Sequence, residues 1–229
     1  MPYNLQIPGW MPENELRILE RLAFTIPRFG RMVEVGPFCG RSSWCWAKSA
    51  DPTVTVTCLD IWDPAEHPYH PPAEIGKERN PNPDFGAAES VDHVIGTLEN
   101  FKRYTRDCPN IRAIRGASPY DFKDWNEPLD LVFLDGVHHN PVFWDDLNFW
   151  FWQLKPGGIC CGDDCARTHP DVLWGVHDFA KTHGLTFFVE GRIWVMPRPP
   201  HRIVIPTLFG DREPQRTYSQ NLTPPPTPP

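Results

Sequence analysis

At 229 residues with a 40% hydrophobic fraction, the chain can fill the core of one sizeable domain. Its formal charge of -7 supplies no general attraction for nucleic-acid backbones or anionic membranes, and no run approaches the roughly eighteen apolar residues of a membrane span. The opening "MPYNLQIPGW" lacks the basic-then-apolar layout of a secretory leader, and seven cysteines without a CxxC pair suit reduced, buried thiols, so a soluble cytoplasmic chain is expected.

Residues 1–12 carry three prolines and read as an extended arm ahead of one domain spanning 13–198. In "ENELRILERLAF", Leu16, Ile18, Leu19 and Leu22 fall opposite the charges, which predicts an amphipathic helix from Glu13. "RMVEVG" predicts a strand closed by glycine, "SSWCWAKSA" a helix, and the β-branched "TVTVTCLD" a second strand ending in Asp60. Residues 62–89 are proline-rich and aperiodic, which marks a long loop or lid over a ligand. A helix from about Ser90 to Arg106 comes next, then the strands "IRAIRG" and "LDLVFLDG".

"NPVFWDDLNFWFWQL" predicts an aromatic helix, closed by "KPGG" and followed by the strand "GICCG". Its rings cover too much of the circumference for one face, so some must meet solvent or a second subunit, as a homo-oligomer would provide. "PDVLWGVHDFAKTHG" gives a last helix, and "LTFFVE-GR-IWVMP" a hairpin about a Gly-Arg turn. Residues 199–229, ending "TPPPTPP", offer little apolar surface and are expected to be a disordered tail able to form polyproline II. Alternating apolar strands and helices predict an α/β fold: a doubly wound, mainly parallel sheet with a C-terminal antiparallel hairpin.

Ligands of such sheets bind beyond the carboxyl ends of the strands. Glu34, Gly36 and Gly40 in "VEVGPFCGRSS" bring a permissive turn and a helix start to one such end. Asp60, 24 positions after Gly36, sits where a carboxylate accepts both hydroxyls of a ribose. The G-x-x-x-G spacing departs from the G-x-G-x-x-G that makes room for a pyrophosphate, so the turn suits a nucleoside ligand without a diphosphate, of which S-adenosylmethionine is one. Further along, Asp163 and Asp164 stand side by side after an apolar strand, where like charges repel and lose hydration, so a neighbouring cation is expected. The same pair also fits a turn and a helix cap. His67 and His70 lie in the proline-rich loop without other ligands, and no set of two histidines and a carboxylate suited to iron is discernible.

"VEVGPFCGRSS", Asp60, "IRGAS", "LDLVFLDGVHH" and "KPGGICCGDDC" together resemble, in order and spacing, class I S-adenosylmethionine-dependent methyltransferases, most closely the catechol O-methyltransferase-like branch and related bacterial small-molecule O-methyltransferases. The resemblance covers roughly residues 7 to 197. It implies a Rossmann-like seven-stranded sheet, with Glu34, Gly36 and Gly40 cradling the methionine part of the cofactor, Asp60 its ribose, Ala117 and Ser118 its adenine, and Asp135 among the cofactor-binding residues. It further implies Mg2+ on Asp135, Asp163 and Asp164. The base of that branch falls at His138, with His139 beside it, where animal enzymes have lysine. A small hydroxylated acceptor, sugar or phenol, is the expected partner. An N-methyltransferase would carry an Asn/Asp-Pro-Pro-aromatic motif where this chain reads "DGVHHN", and a binding scaffold without turnover is the remaining alternative.

Overall fold

The structure is a computed structural model that describes residues 3–62 and 96–200. Its order is α1 (Glu13–Ala23), β1 (Arg31–Val35), α2 (Arg41–Ser49), β2 (Thr55–Asp60), α3 (Leu98–Tyr104), β3 (Ile111–Arg115), a 3-10 turn (Tyr120–Phe122), β4 (Leu129–Leu134), α4 (Val142–Gln153), β5 (Leu154–Gly162), α5 (Pro170–His183), β6 (Phe188–Glu190) and β7 (Ile193–Pro197). The strands form one seven-stranded sheet in the order β3-β2-β1-β4-β5-β7-β6. The first five strands of that order are parallel, and β7 runs antiparallel to both β5 and β6. The expected mainly parallel sheet with its terminal hairpin is therefore what forms.

Burial on both faces explains the continuous apolar strands. One face carries Leu16, Leu19 and Leu22 of α1, together with Trp46 of α2, whose ring meets Phe133 of β4 at 5.4 Å. The other carries Trp150 and Phe151 of α4 and Phe179 of α5 beneath Trp194 of β7. Each large side chain removed from water contributes about 1.5–3 kcal/mol before its ordering entropy is counted. Of the aromatic helix, Phe143, Trp150 and Phe151 are buried, whereas Trp152 stays 48% exposed beside Arg198 and His183. All seven cysteines are buried and free, as reduced thiols require.

The arm is docked. Arg41 at the start of α2 is buried and donates from its guanidinium to the carbonyls of Leu5, Ile7 and Met11. Two local expectations are corrected. Gly96 and Thr97 are not helical: Thr97 accepts from the Asn100 N–H as a cap, so α3 begins at Leu98 and not near Ser90; residues 63–95 lie outside the described residues, and with them His67, His70 and nearly all of the proposed lid. "KPGG" does not merely close α4. It lies within β5, where the register against β4 slips between Leu129 and Leu131, and Gly157 there has φ +85°.

Between β1 and β4 the strand order reverses, and their register aligns Val35 with Leu134 and, one strand on, Leu134 with Gly162. Gly36, Asp135 and Asp163 consequently emerge side by side at one carboxyl edge, which is the place where open α/β sheets hold ligands.

Candidate active site

The turn after β1 is built around backbone that only glycine tolerates. Gly36 has φ +81°, and a Cβ added there would stand 2.2 Å from the Asp135 carbonyl oxygen. Gly40, the cap of α2, has φ +93°, and its Cβ would stand 2.6 Å from Thr105. Glu34 lies beneath this turn with no exposed surface. Its carboxylate accepts from the Ser43 hydroxyl and from Cys58 Sγ at 3.4 Å, while Oε1 has no hydrogen-bond partner among the described residues. Burial pushes its pKa up to about 7, against the pull of the neighbouring hydroxyls Ser42 and Ser43.

Asp60 ends β2 and ties the same turn together. One carboxylate oxygen accepts from the Trp62 N–H at 2.9 Å, the other from the Phe38 N–H at 3.4 Å, and the Trp62 indole donates to the Phe38 carbonyl at 3.0 Å. The Ile61 N–H also acts on this carboxylate. Burial raises its pKa to about 6, opposed by the Trp62 and Phe38 N–H groups.

Ala117 and Ser118 lie past β3, where the Ala117 N–H donates to Asp121 at 2.8 Å. The Ser118 hydroxyl donates to Asp146 at 2.5 Å and accepts from the Trp150 indole at 2.8 Å, so the hydroxyl itself is committed inward. Burial lifts the Asp146 pKa to about 7, above the ordinary aspartate value, with the Ser118 and Trp150 hydrogen bonds pulling the other way. A raised folded-state pKa means that the native state holds its proton longer than the unfolded chain does, so stability falls as pH rises from about 4 through about 7. Asp146→Asn should cancel that slope: urea midpoints of variant and wild type should diverge in favour of the variant between pH 4 and pH 8.

The other half of this edge brings three acids together. Asp135, Asp163 and Asp164 each offer one carboxylate oxygen, all within 4.8 Å of one another. His138 Nε2 stands 3.5 Å from Asp135 Oδ1 and 3.0 Å from Asp164 Oδ2, whereas His139 points to Asp171 at 3.8 Å, outside the group. Burial pushes Asp135 up to about 6 and Asp163 well above the usual carboxylate range, with the surrounding acids adding to the shift of Asp163.

Two participants were not singled out from sequence. Arg192, in the Gly-Arg turn of the hairpin, donates to Asp164 at 2.8 Å, to Asp163 at 3.2 Å and to Glu15 of α1 at 3.1 and 3.3 Å. The cation demanded by the adjacent acids is thus supplied at least partly by the protein. Burial alone would lower the Arg192 pKa, but the carboxylates of Asp163 and Glu15 outweigh it and hold the guanidinium above its ordinary value. His169, at the start of α5, stands 3.2 Å from Asp164 Oδ1. With His138 and Asp164 it completes a set of two imidazoles and a carboxylate within 4.8 Å, which corrects the expectation that no such set exists. Asp164 is at φ +62°, a left-handed conformation that aims its carboxylate back at these partners, and the cap of α5 is His169 and neither member of the acid pair.

A family model described as a methyltransferase domain matches residues 33–165. Among solved structures, the fold is similar to a precorrin-6y C5,15-methyltransferase from Geobacter metallireducens (TM-score 0.54, 13% identity, covering 82% of this chain and 89% of that one). It is also similar to the O-methyltransferase NovP (TM-score 0.55, 17% identity, 80% and 79%) and to the O-methyltransferase TomG of Streptomyces achromogenes in complex with S-adenosylmethionine (TM-score 0.50, 14% identity, 82% and 81%).

Proposed function

The chain belongs to the methyltransferase-domain family, and on that premise we propose that it transfers the methyl group of S-adenosylmethionine to a hydroxyl of a small sugar- or phenol-like acceptor. The observation that carries this reading is the convergence, at one carboxyl edge of the sheet, of the Gly36–Gly40 turn and Asp60 with Asp135, His138, Asp163 and Asp164. On this reading the unpartnered Glu34 oxygen and the turn glycines accommodate the methionine part, Asp60 accepts from the ribose, and the Ala117–Ser118 backbone edges the adenine.

The cofactor supplies an electrophilic methyl on a sulfonium. Position is then most of the catalysis, because methyl transfer needs the acceptor oxygen in line with the methyl carbon and the departing sulfur. His138 takes the hydroxyl proton as the new C–O bond forms; the C–S bond breaks, leaving a methyl ether and S-adenosylhomocysteine. Asp135 and Asp164 orient the imidazole. The oxygen set of Asp135, Asp163 and Asp164 fits a hard divalent ion such as Mg2+, and Arg192 offsets part of the charge without exhausting it: three carboxylates, counting Glu15, contact the one guanidinium, and Asp135 stands beside them without touching it. Such an ion, when bound, would polarise the acceptor hydroxyl and lower its pKa.

The test is methyl-ether formation from a pool of hydroxylated acceptors with labelled cofactor, run in magnesium and in excess chelator. Label transfer that falls by at least about tenfold in chelator is expected, on the scale of lost metal activation. An unchanged rate in chelator would remove the ion from the reading.

A further inference from the structure

We propose that His138, Asp164 and His169 form a binding site for a zinc-class transition-metal ion, and that filling it switches methyl transfer off. Two loops converge there: His138 follows β4, while Asp164 and His169 lie near the two ends of the connection from β5 to α5. Asp164 gives one carboxylate oxygen to each ring, with His138 Nε2 at 3.0 Å from Oδ2 and His169 Nδ1 at 3.2 Å from Oδ1, and the two imidazoles meet edge to face at 5.1 Å. Two ligands at about 2.0–2.2 Å from a shared ion, at tetrahedral to octahedral angles, stand roughly 2.9–3.4 Å apart, so both separations already match what an ion would impose.

The donor chemistry sets the class of ion. Imidazole nitrogens favour zinc, cobalt, nickel, copper or iron, while magnesium and calcium prefer an all-oxygen set such as the neighbouring Asp135, Asp163 and Asp164. An outer support is also present: Arg192 donates to Asp164 Oδ1 at 2.8 Å, which fixes the carboxylate that would be shared. Asp164 is 6% exposed and both imidazoles are partly buried, so the site is neither a surface cluster nor closed to solvent.

Inhibition follows from the use of one ring and one carboxylate twice. The His138 nitrogen that faces Asp135 and Asp164 is Nε2, the same atom that would bind the ion, so a metal there replaces the contacts that orient the ring and lowers the basicity of the nitrogen left to take the proton, and Asp164 cannot serve both ion sets fully. This consequence rests on the methyl transfer proposed above; metal binding itself does not.

The measurement is a cobalt titration of the chelator-stripped full-length protein, read by visible d–d absorption, followed by displacement with zinc. Wild type should develop the band and lose it to zinc. His169→Asn removes the imidazole while keeping a residue favoured at helix caps, so the fold is retained, and it should bind cobalt at least about tenfold more weakly. Near-ultraviolet circular dichroism checks its folding. The ratio of turnover without zinc to turnover with zinc should be large in wild type and close to one in the variant. Absence of the band in wild type, or an undiminished band in folded His169→Asn, would overturn the site. Cobalt binding as expected without methyl transfer to any acceptor would leave the metal site standing and sink the transferase reading instead.

Discussion

Arg192→Met is expected to destabilise the fold by about 3–5 kcal/mol, the cost of leaving buried carboxylates without their cation. Glu15, Asp163 and Asp164 are 4%, 5% and 6% exposed, and the guanidinium contacts all three. Methionine keeps much of the apolar stem but supplies neither charge nor donors. The loss should depend on pH with a definite sign. Burial raises the pKa of both Asp163 and Glu15. Removing the cation raises them further, so the variant holds protons that the unfolded chain releases, and its deficit grows as pH rises above the ordinary carboxylate range. Urea unfolding of both proteins at pH 5 and pH 8 reads this directly: a larger gap at pH 8 is expected, and an equal or inverted gap would mean that Arg192 acts by packing alone. Because Glu15 belongs to α1, the same variant should loosen the first helix against the hairpin, seen as faster amide exchange in residues 13–23.

His138→Ala is expected to lower kcat by about 10²–10⁴-fold, the usual worth of a positioned base, while cofactor affinity stays within about twofold. The split distinguishes proton transfer from a structural role. The ring is held by Asp135 and Asp164, and no cofactor-binding feature of the β1 turn depends on it. His139→Ala is the control, since that ring faces Asp171 at 3.8 Å and should leave kcat nearly unchanged. A fall in kcat for His139→Ala with a mild effect for His138→Ala would transfer the role of base to the neighbour.

Strand positions and the parallel character of the sheet were legible because they follow from local patterns. "LDLVFL" is apolar throughout because β4 is covered on both faces, and the glycines of the first turn announce a backbone with positive φ. The acid group was legible for a related reason: Asp60, Asp135 and Asp163 each close a parallel strand, and parallel strands deliver their ends to one edge. Arg192 was hidden because a Gly-Arg dipeptide between two apolar runs looks like any exposed hairpin turn, and its partner Glu15 is 177 positions away. His169 was hidden in the same manner, since "RTHP" reads as a helix start and its 31-residue separation from His138 has no local signature. The one available hint was electrostatic: two adjacent acids required a cation, but a lone positive residue far along the chain is one candidate among 22 lysines and arginines. The start of α3 at Leu98 was not foreseen because the Thr97 cap, whose side chain accepts from the Asn100 N–H, has no counterpart in hydrophobic periodicity.

Calorimetric titration of S-adenosylmethionine into wild type and Asp60→Ala is the most direct test of the central claim, because it needs neither the acceptor nor the metal to be known. Saturable one-to-one binding to wild type, weakened at least about tenfold when the two ribose hydrogen bonds are lost, is the expected result. Absence of binding to folded wild type, or equal binding to both proteins, would contradict a cofactor seated on the β1 turn against Asp60.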